Sequence, residues 1–425
     1  MIRPPLAYRA ICALLCAQLL TVAAHAEEPR PAAGAMHLTL SRAIAMARER
    51  APEVRMAQHR VRQAEATRVG AGIVMPARPR VSLDLRQSLV GGEYRTRELG
   101  YAVTVDTLFD IAGAPSARVR EADMRTRSAT VDAELVRFYA GLDAWRAYLA
   151  ASIATQRITD LNDARAVADR VLAASRERIS AGAAGDIEEM TARLEVAQLQ
   201  ATLESVKRER SISLMQLRDL LDLPAGTALE VSAETAVPQP PPPLEALLRH
   251  AEKSRPELAA LRSHLQLLEA TATRLEREVA PRVGIFGTYD ASPHSATFLS
   301  FGASVELPVA QRNQGPLAVN MRERESDQAR LEIELRRIDR EVAATRAAYE
   351  SRRAELRALA EEAVPAAERN LLLIETGWRS GRFDIFRVTS AARDLVRMKA
   401  MRLDALEAAW VERIALERAA GGWPS

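Results

Sequence analysis

The 425-residue chain carries 59 basic and 56 acidic residues, interleaved without a basic block, which excludes a nucleic-acid surface despite an isoelectric point near 9.0. Its two cysteines, Cys12 and Cys16, lie close to the N-terminus and offer neither a disulfide framework nor a thiolate metal site. No apolar run of about 18 residues follows position 26, so any entry into a bilayer must be made by strands.

Residues 1–26 read as an export signal. Arg3 and Arg9 precede an apolar run, and Ala24-His25-Ala26 places small residues one and three positions before a cut at Glu27. A lipid-anchored start at Cys16 fits less well, because the preceding Leu15 is not small. Residues 27–38 form an N-terminal extension.

A first repeat is expected over 39–236. An amphipathic helix from about Thr39 to Met75 contains Pro52-Glu53 and stops at Pro76 and Pro79, with Gly70-Ala71-Gly72 weakening its end. Residues 80–90 and 99–107 alternate apolar and polar around a Gly91-Gly92 turn, as two strands with one apolar face. A long helix over 116–180 carries Val131, Leu135, Phe138, Leu142, Trp145 and Leu149 at heptad spacing. A turn at Gly182 leads into a return helix over 186–221.

Pro238-Gln239-Pro240-Pro241-Pro242-Pro243 marks a stiff linker over 237–243. A second repeat over 244–425 then restates the order of the first. Pro256-Glu257 answers Pro52-Glu53, Pro281-Arg282-Val283 answers Pro79-Arg80-Val81, and Ser380-Gly381 answers the Ala181-Gly182 turn. Its helix over 244–280 precedes strands at 282–290 and 298–307. In its long helix, 316–380, Leu331 to Ala363 keep a heptad seam broken by Arg352. Near Pro365 the seam slips by one residue, which predicts a kink, and Leu371, Ile374 and Trp378 continue it. The return helix covers 384–417.

The chain is thus mainly α with a small β part, a duplicated helix–β-hairpin–long helix–helix repeat. The long helices span about 100 Å at 1.5 Å per residue. Four strands cannot close a barrel, and open edges cannot face lipid, so the protomer must oligomerise.

The Pro-Glu helix openings, the duplicated order and the glycine turns resemble the TolC-like outer-membrane efflux family over essentially the whole chain. Gln311-Arg312-Asn313-Gln314-Gly315 resembles the heavy-metal (CzcC/CusC-like) branch. Gly113 and Arg118 echo that branch's Gly-Gly-Lys-Arg stretch, although the surrounding residues depart from it. The resemblance implies a homotrimer with a 12-stranded barrel in outer-membrane lipid above a periplasmic helical tunnel. It implies a periplasmic adaptor (membrane fusion) protein and an inner-membrane pump of the resistance–nodulation–division (RND) type as partners. The function so implied is a passive exit duct, with heavy-metal cations as one substrate class.

By the same resemblance the two turns are periplasmic tips where the adaptor docks: Gly182, Ala183 and Asp186, and Gly381, Arg382, Phe383 and Asp384. Gly182 and Gly381 suit a left-handed reversal, Asp186 and Asp384 suit helix caps, and Phe383 reads as an exposed contact. The family's acidic gate positions fall on Arg387 and Ser390, so a tunnel constriction here would not be acidic. Arg387 is also placed to pair with Asp384. No catalytic constellation or cofactor motif is present, and the chain reads as a non-enzyme. His250 and Glu257 share a helical face in this reading but suit a solvated surface. Two alternatives use the same pattern differently. One is the channel of a type I protein secretion system; the other, of a different class, is a periplasmic coiled-coil adaptor, which would have one helical hairpin and more strands.

Overall fold

A computed structural model of the chain describes residues 35–75, 78–87, 99–182, 184–233, 236–291 and 296–422. The export signal, most of the N-terminal extension, the Gly91-Gly92 turn and Ala183 lie outside the described residues. Each opening helix proves to be two. α1 (Leu40–Arg50) and α2 (Pro52–Ala66) meet at Ala51, whose φ of −50° and ψ of 141° break the helix. The residue before a proline is driven out of the α region, while the proline itself suits a first helical position. α2 ends well short of Met75, in turns through Gly70 at φ 86°.

β2 (Arg80–Gln87) and β3 (Leu99–Asp110) form the first hairpin. Helix α3 (Ala114–Ser180) follows without interruption, and α4 (Asp186–Leu220) returns beside it. In the second repeat α5 (Leu244–Ser254) and α6 (Pro256–Arg277) break at Arg255 for the reason seen at Ala51. His250 and Glu257 therefore do not share a face. Glu257 lies beyond the break and accepts from the Tyr139 hydroxyl. β5 (Arg282–Ala291) and β6 (Phe298–Glu306) form the second hairpin.

The hairpins join through antiparallel β3–β5 pairing into one sheet of order β2-β3-β5-β6. Its register puts all odd-numbered residues on one face. Val81, Leu83, Tyr101, Val105, Leu299 and Phe301 stand exposed there. The even face is polar, with Arg86 donating to Asp290 at 2.8 Å and Thr104 and Thr288 hydroxyls 3.0 Å apart.

The second long helix has three parts: α7 (Gln314–Ala358), a π-helical turn Leu359–Ala363, and α8 (Val364–Arg379). A π turn inserts one extra residue, which is the slip in the heptad seam, and it lies just before Pro365, whose missing N–H an α turn would have required. Ile338, Val342, Tyr349 and Leu356 are buried before the turn, and Leu371 and Trp378 after it. Arg352 points outward and pairs with Glu355 at 2.8 Å. α9 (Ile385–Ala420) returns beside α7 and α8 and touches α3, so the two repeats pack on each other.

At mid-height each return helix ends where its opening pair breaks. Asp222, left-handed at φ 51°, caps the end of α4 and pairs with Arg55 at the start of α2. Gly421, at φ 72°, ends α9 so close to Arg255 that an added Cβ would lie 2.7 Å from that backbone. A short parallel pair, β1 (Met36–Leu38) and β4 (Leu229–Val231), packs over α3 and α4 with Leu38 buried. The end of the expected N-terminal extension is thus built into the fold. The proline-rich segment is also no free spacer. Its prolines offer no N–H, and α7 donates to its carbonyls: Arg346 to Pro242, Tyr349 to Gln239 and Arg353 to Pro238, at 3.1, 2.5 and 2.8 Å.

Candidate functional site

The two turns that end α3 and α8 lie side by side. Gly182 and Gly381 both take left-handed backbone, φ 72° and 75°, with no atom within 4 Å of an added Cβ. At the second turn Gly381 N–H reaches Trp378 carbonyl and Arg382 N–H reaches Gly377 carbonyl, the paired bonds of a helix stop on a left-handed residue. Asp384 caps α9, its carboxylate accepting the Arg387 N–H at 3.0 Å.

Three expectations at the tips are corrected. Asp186 is not a cap. Gly185 holds that position, and Asp186 is the first helical residue, where its charge meets the helix dipole. Phe383 is not a free contact. It is half-buried and folds back on Gly377, where an added Cβ would lie 2.4 Å from its ring. Arg387 uses its guanidinium not on Asp384 but over the Phe383 ring, 5.2 Å from its centre. Arg382 and Ser390 are exposed.

The tips are bound together by groups that sequence reasoning passed over. Arg178, at the end of α3, lies over the Trp378 ring at 5.5 Å, donates to the Trp378 carbonyl and sits 3.4 Å from Glu188 of α4. Beneath it Val171, Ala192, Trp378, Ile385 and Val388 form one buried cluster drawn from all four helices. Phe386 is the aromatic ring left exposed here, at 52%. It belongs to the turn after Phe383, and helical phase from the Asp384 cap would have put it outward.

α4 carries a second missed signal. Its face toward α3 is buried, yet Ile187, Met190 and Leu194 near its start and Ile212 and Met215 near its end are all exposed. Nothing in the single chain covers them. Among the described residues no helix is long and apolar enough to cross a membrane.

No protein-family model matches the chain. It is 25% identical over 320 residues, covering 73% of this chain and 75% of the relative, to the cobalt-zinc-cadmium resistance protein CzcC of Cupriavidus metallidurans. The outer-membrane channel OprN superposes with a TM-score of 0.72 at 18% identity over 90% of each chain. CusC, described for its transmembrane channel formation, superposes at 0.68 and 18% identity, over 90% of this chain and 92% of its own.

Proposed function

We propose that this chain, a TolC-like outer-membrane efflux protein akin to the heavy-metal branch, is the outer-membrane exit duct of a tripartite efflux system. The observation that carries the reading is the sheet. One of its faces is largely apolar and exposed, the other is mostly polar, and both edge strands are open. Such a sheet suits lipid outside and water inside, provided that its edges are closed by other copies. Three copies supply twelve strands, and the two uncovered apolar patches of α4 give the helices surface to bury.

The duct is passive. Substrate choice rests with an RND-type inner-membrane pump, and heavy-metal cations are the class that kinship to CzcC favours. A periplasmic adaptor docks at the tips, where Gly182 and Gly381 shape the turns and Phe386 offers an apolar contact. Asp186 borders the first turn, and Arg387 and Ser390 stand near the mouth as the residues of a constriction.

Light scattering corrected for bound detergent tests the assembly. A trimer is expected, and a folded, membrane-inserted monomer would overturn the reading. Cross-linking to the adaptor tests the tips. Phe386→Asp should abolish it while trimer abundance holds, and undiminished cross-linking would remove Phe386 from the docking surface.

A further inference from the structure

A cavity of about 310 Å³ runs between α3, α4 and α9, with Leu371 of α8 on one flank. On α3 it extends from Arg157 to Ala168, about 16 Å of helix. Spread over that length, the volume makes a narrow groove rather than a chamber. An α-helix with its side chains is about 10–12 Å across, so a partner helix cannot enter. A single extended hydrocarbon chain can.

The walls suit such a chain. Leu161, Val167, Leu199, Val206, Leu395 and Val396 line it. Below it lies the Val171–Ala192–Val388 cluster of the tips. The upper end is charged and unbalanced. Arg157 holds three carboxylates, Asp404 at 2.5 Å, Glu407 at 3.3 Å and Glu209 at 3.8 Å. Asp160 takes a Gln156 amide and lies 3.7 Å from Arg402. Asp163 on the rim has no ion-pair partner among the described residues. Arg210, the other nearby cation, donates to the Thr155 hydroxyl. Five carboxylates thus face Arg157, Arg402 and Arg210. Burial pushes the Glu407 carboxyl up, against Arg157 and with help from Glu209 and Asp404. Further down, Lys399 and Glu195 are matched by Glu368 and Arg393.

We propose that this groove binds a single-chain cationic amphiphile, its alkyl chain along the α3–α9 seam and its head at Asp160, Asp163 and Asp404. The apolar walls supply affinity by burying the chain. The surplus carboxylates select the head, since an anionic head would meet repulsion at the same place. The groove is built by one chain, so its walls need no neighbouring copy.

The probe is an alkyltrimethylammonium with a photoreactive diazirine in its chain, added to the full-length protein in a non-ionic detergent. Labelled peptides should cover residues 157–168 and 392–404. Ala400→Phe, which fills the groove from its exposed rim, should cut that labelling at least tenfold with the melting temperature retained. Should that variant melt early, Asp163→Asn with Asp404→Asn gives an independent reading. It leaves the walls intact and should lower labelling several-fold. Unlabelled dodecyltrimethylammonium should compete and dodecyl sulfate should not. Labelling confined to the strands, labelling unchanged in the well-folded variants, or equal competition by dodecyl sulfate would each overturn the proposal.

Discussion

At the scale of single residues, the tip glycines separate two kinds of constraint. Gly381 has open space around it and a positive φ, so Gly381→Val costs backbone strain alone, about 1–2 kcal/mol. The trimer should still form with a melting temperature a few degrees lower. Gly377 is helical, but Phe383 occupies the space its Cβ would need. Gly377→Ala should therefore expel the ring and loosen Arg387 with it, and near-ultraviolet circular dichroism should lose aromatic signal that Gly381→Val keeps. Sequence made the first constraint legible, because a glycine after a heptad run signals a left-handed stop. The second was hidden, since nothing in the local spacing says that Phe383 turns back across the reversal. Glu407 carries a pH prediction. Burial, the largest cause, raises its pKa in the fold. A raised carboxyl favours folding when protonated and loses that advantage as pH climbs from the ordinary carboxylate value through the folded one. Glu407→Gln should thus stabilise the fold slightly at neutral pH, by at most about 0.5 kcal/mol after solvent screening, seen as a small rise in melting temperature. It should also flatten the pH dependence above pH 4.5. A lower melting point at pH 7 would show that its pairing with Arg157 outweighs the crowding.

At the scale of elements, most boundaries follow from local rules. Proline explains the breaks at Ala51 and Arg255 once its effect on the preceding residue is counted, although the helix periodicity runs on through both. The slip at Pro365 was legible as a fault in spacing, and the π turn is its physical form. The strap over 237–243 was not legible. A proline run announces an extended chain but not that Arg346, Tyr349 and Arg353, spaced along α7, would each meet one of its carbonyls. Tyr349 is fully buried, so Tyr349→Phe keeps the packing and orphans the Gln239 carbonyl, at a cost of about 1–3 kcal/mol. Thermal unfolding should register that loss, and proteolysis between the repeats should quicken. Unchanged cleavage would mean the strap is held by its neighbours instead.

At the scale of the whole molecule, the sheet decides how the chain meets its surroundings. Val105 is on the apolar face and Thr104 on the polar face, bonded to Thr288. Val105→Arg should reduce recovery in outer-membrane fractions, at about 2–4 kcal/mol for a mid-bilayer charge. Thr104→Arg should be recovered far better, and equal losses would mean that the faces are exchanged. The alternation of 80–87 and 99–110 made this face readable from sequence, whereas the sheet order could come only from the β3–β5 pairing. The π turn has a wider consequence. Described residues of α3 run as unbroken α-helix, while its counterpart carries the extra residue. The duplicated halves are therefore related by an imperfect twofold, and the proposed ring of three chains would present six tips of two alternating kinds. On that proposed ring a docking partner would meet two kinds of tip, so one that tolerates both could bind six times and one that discriminates only three.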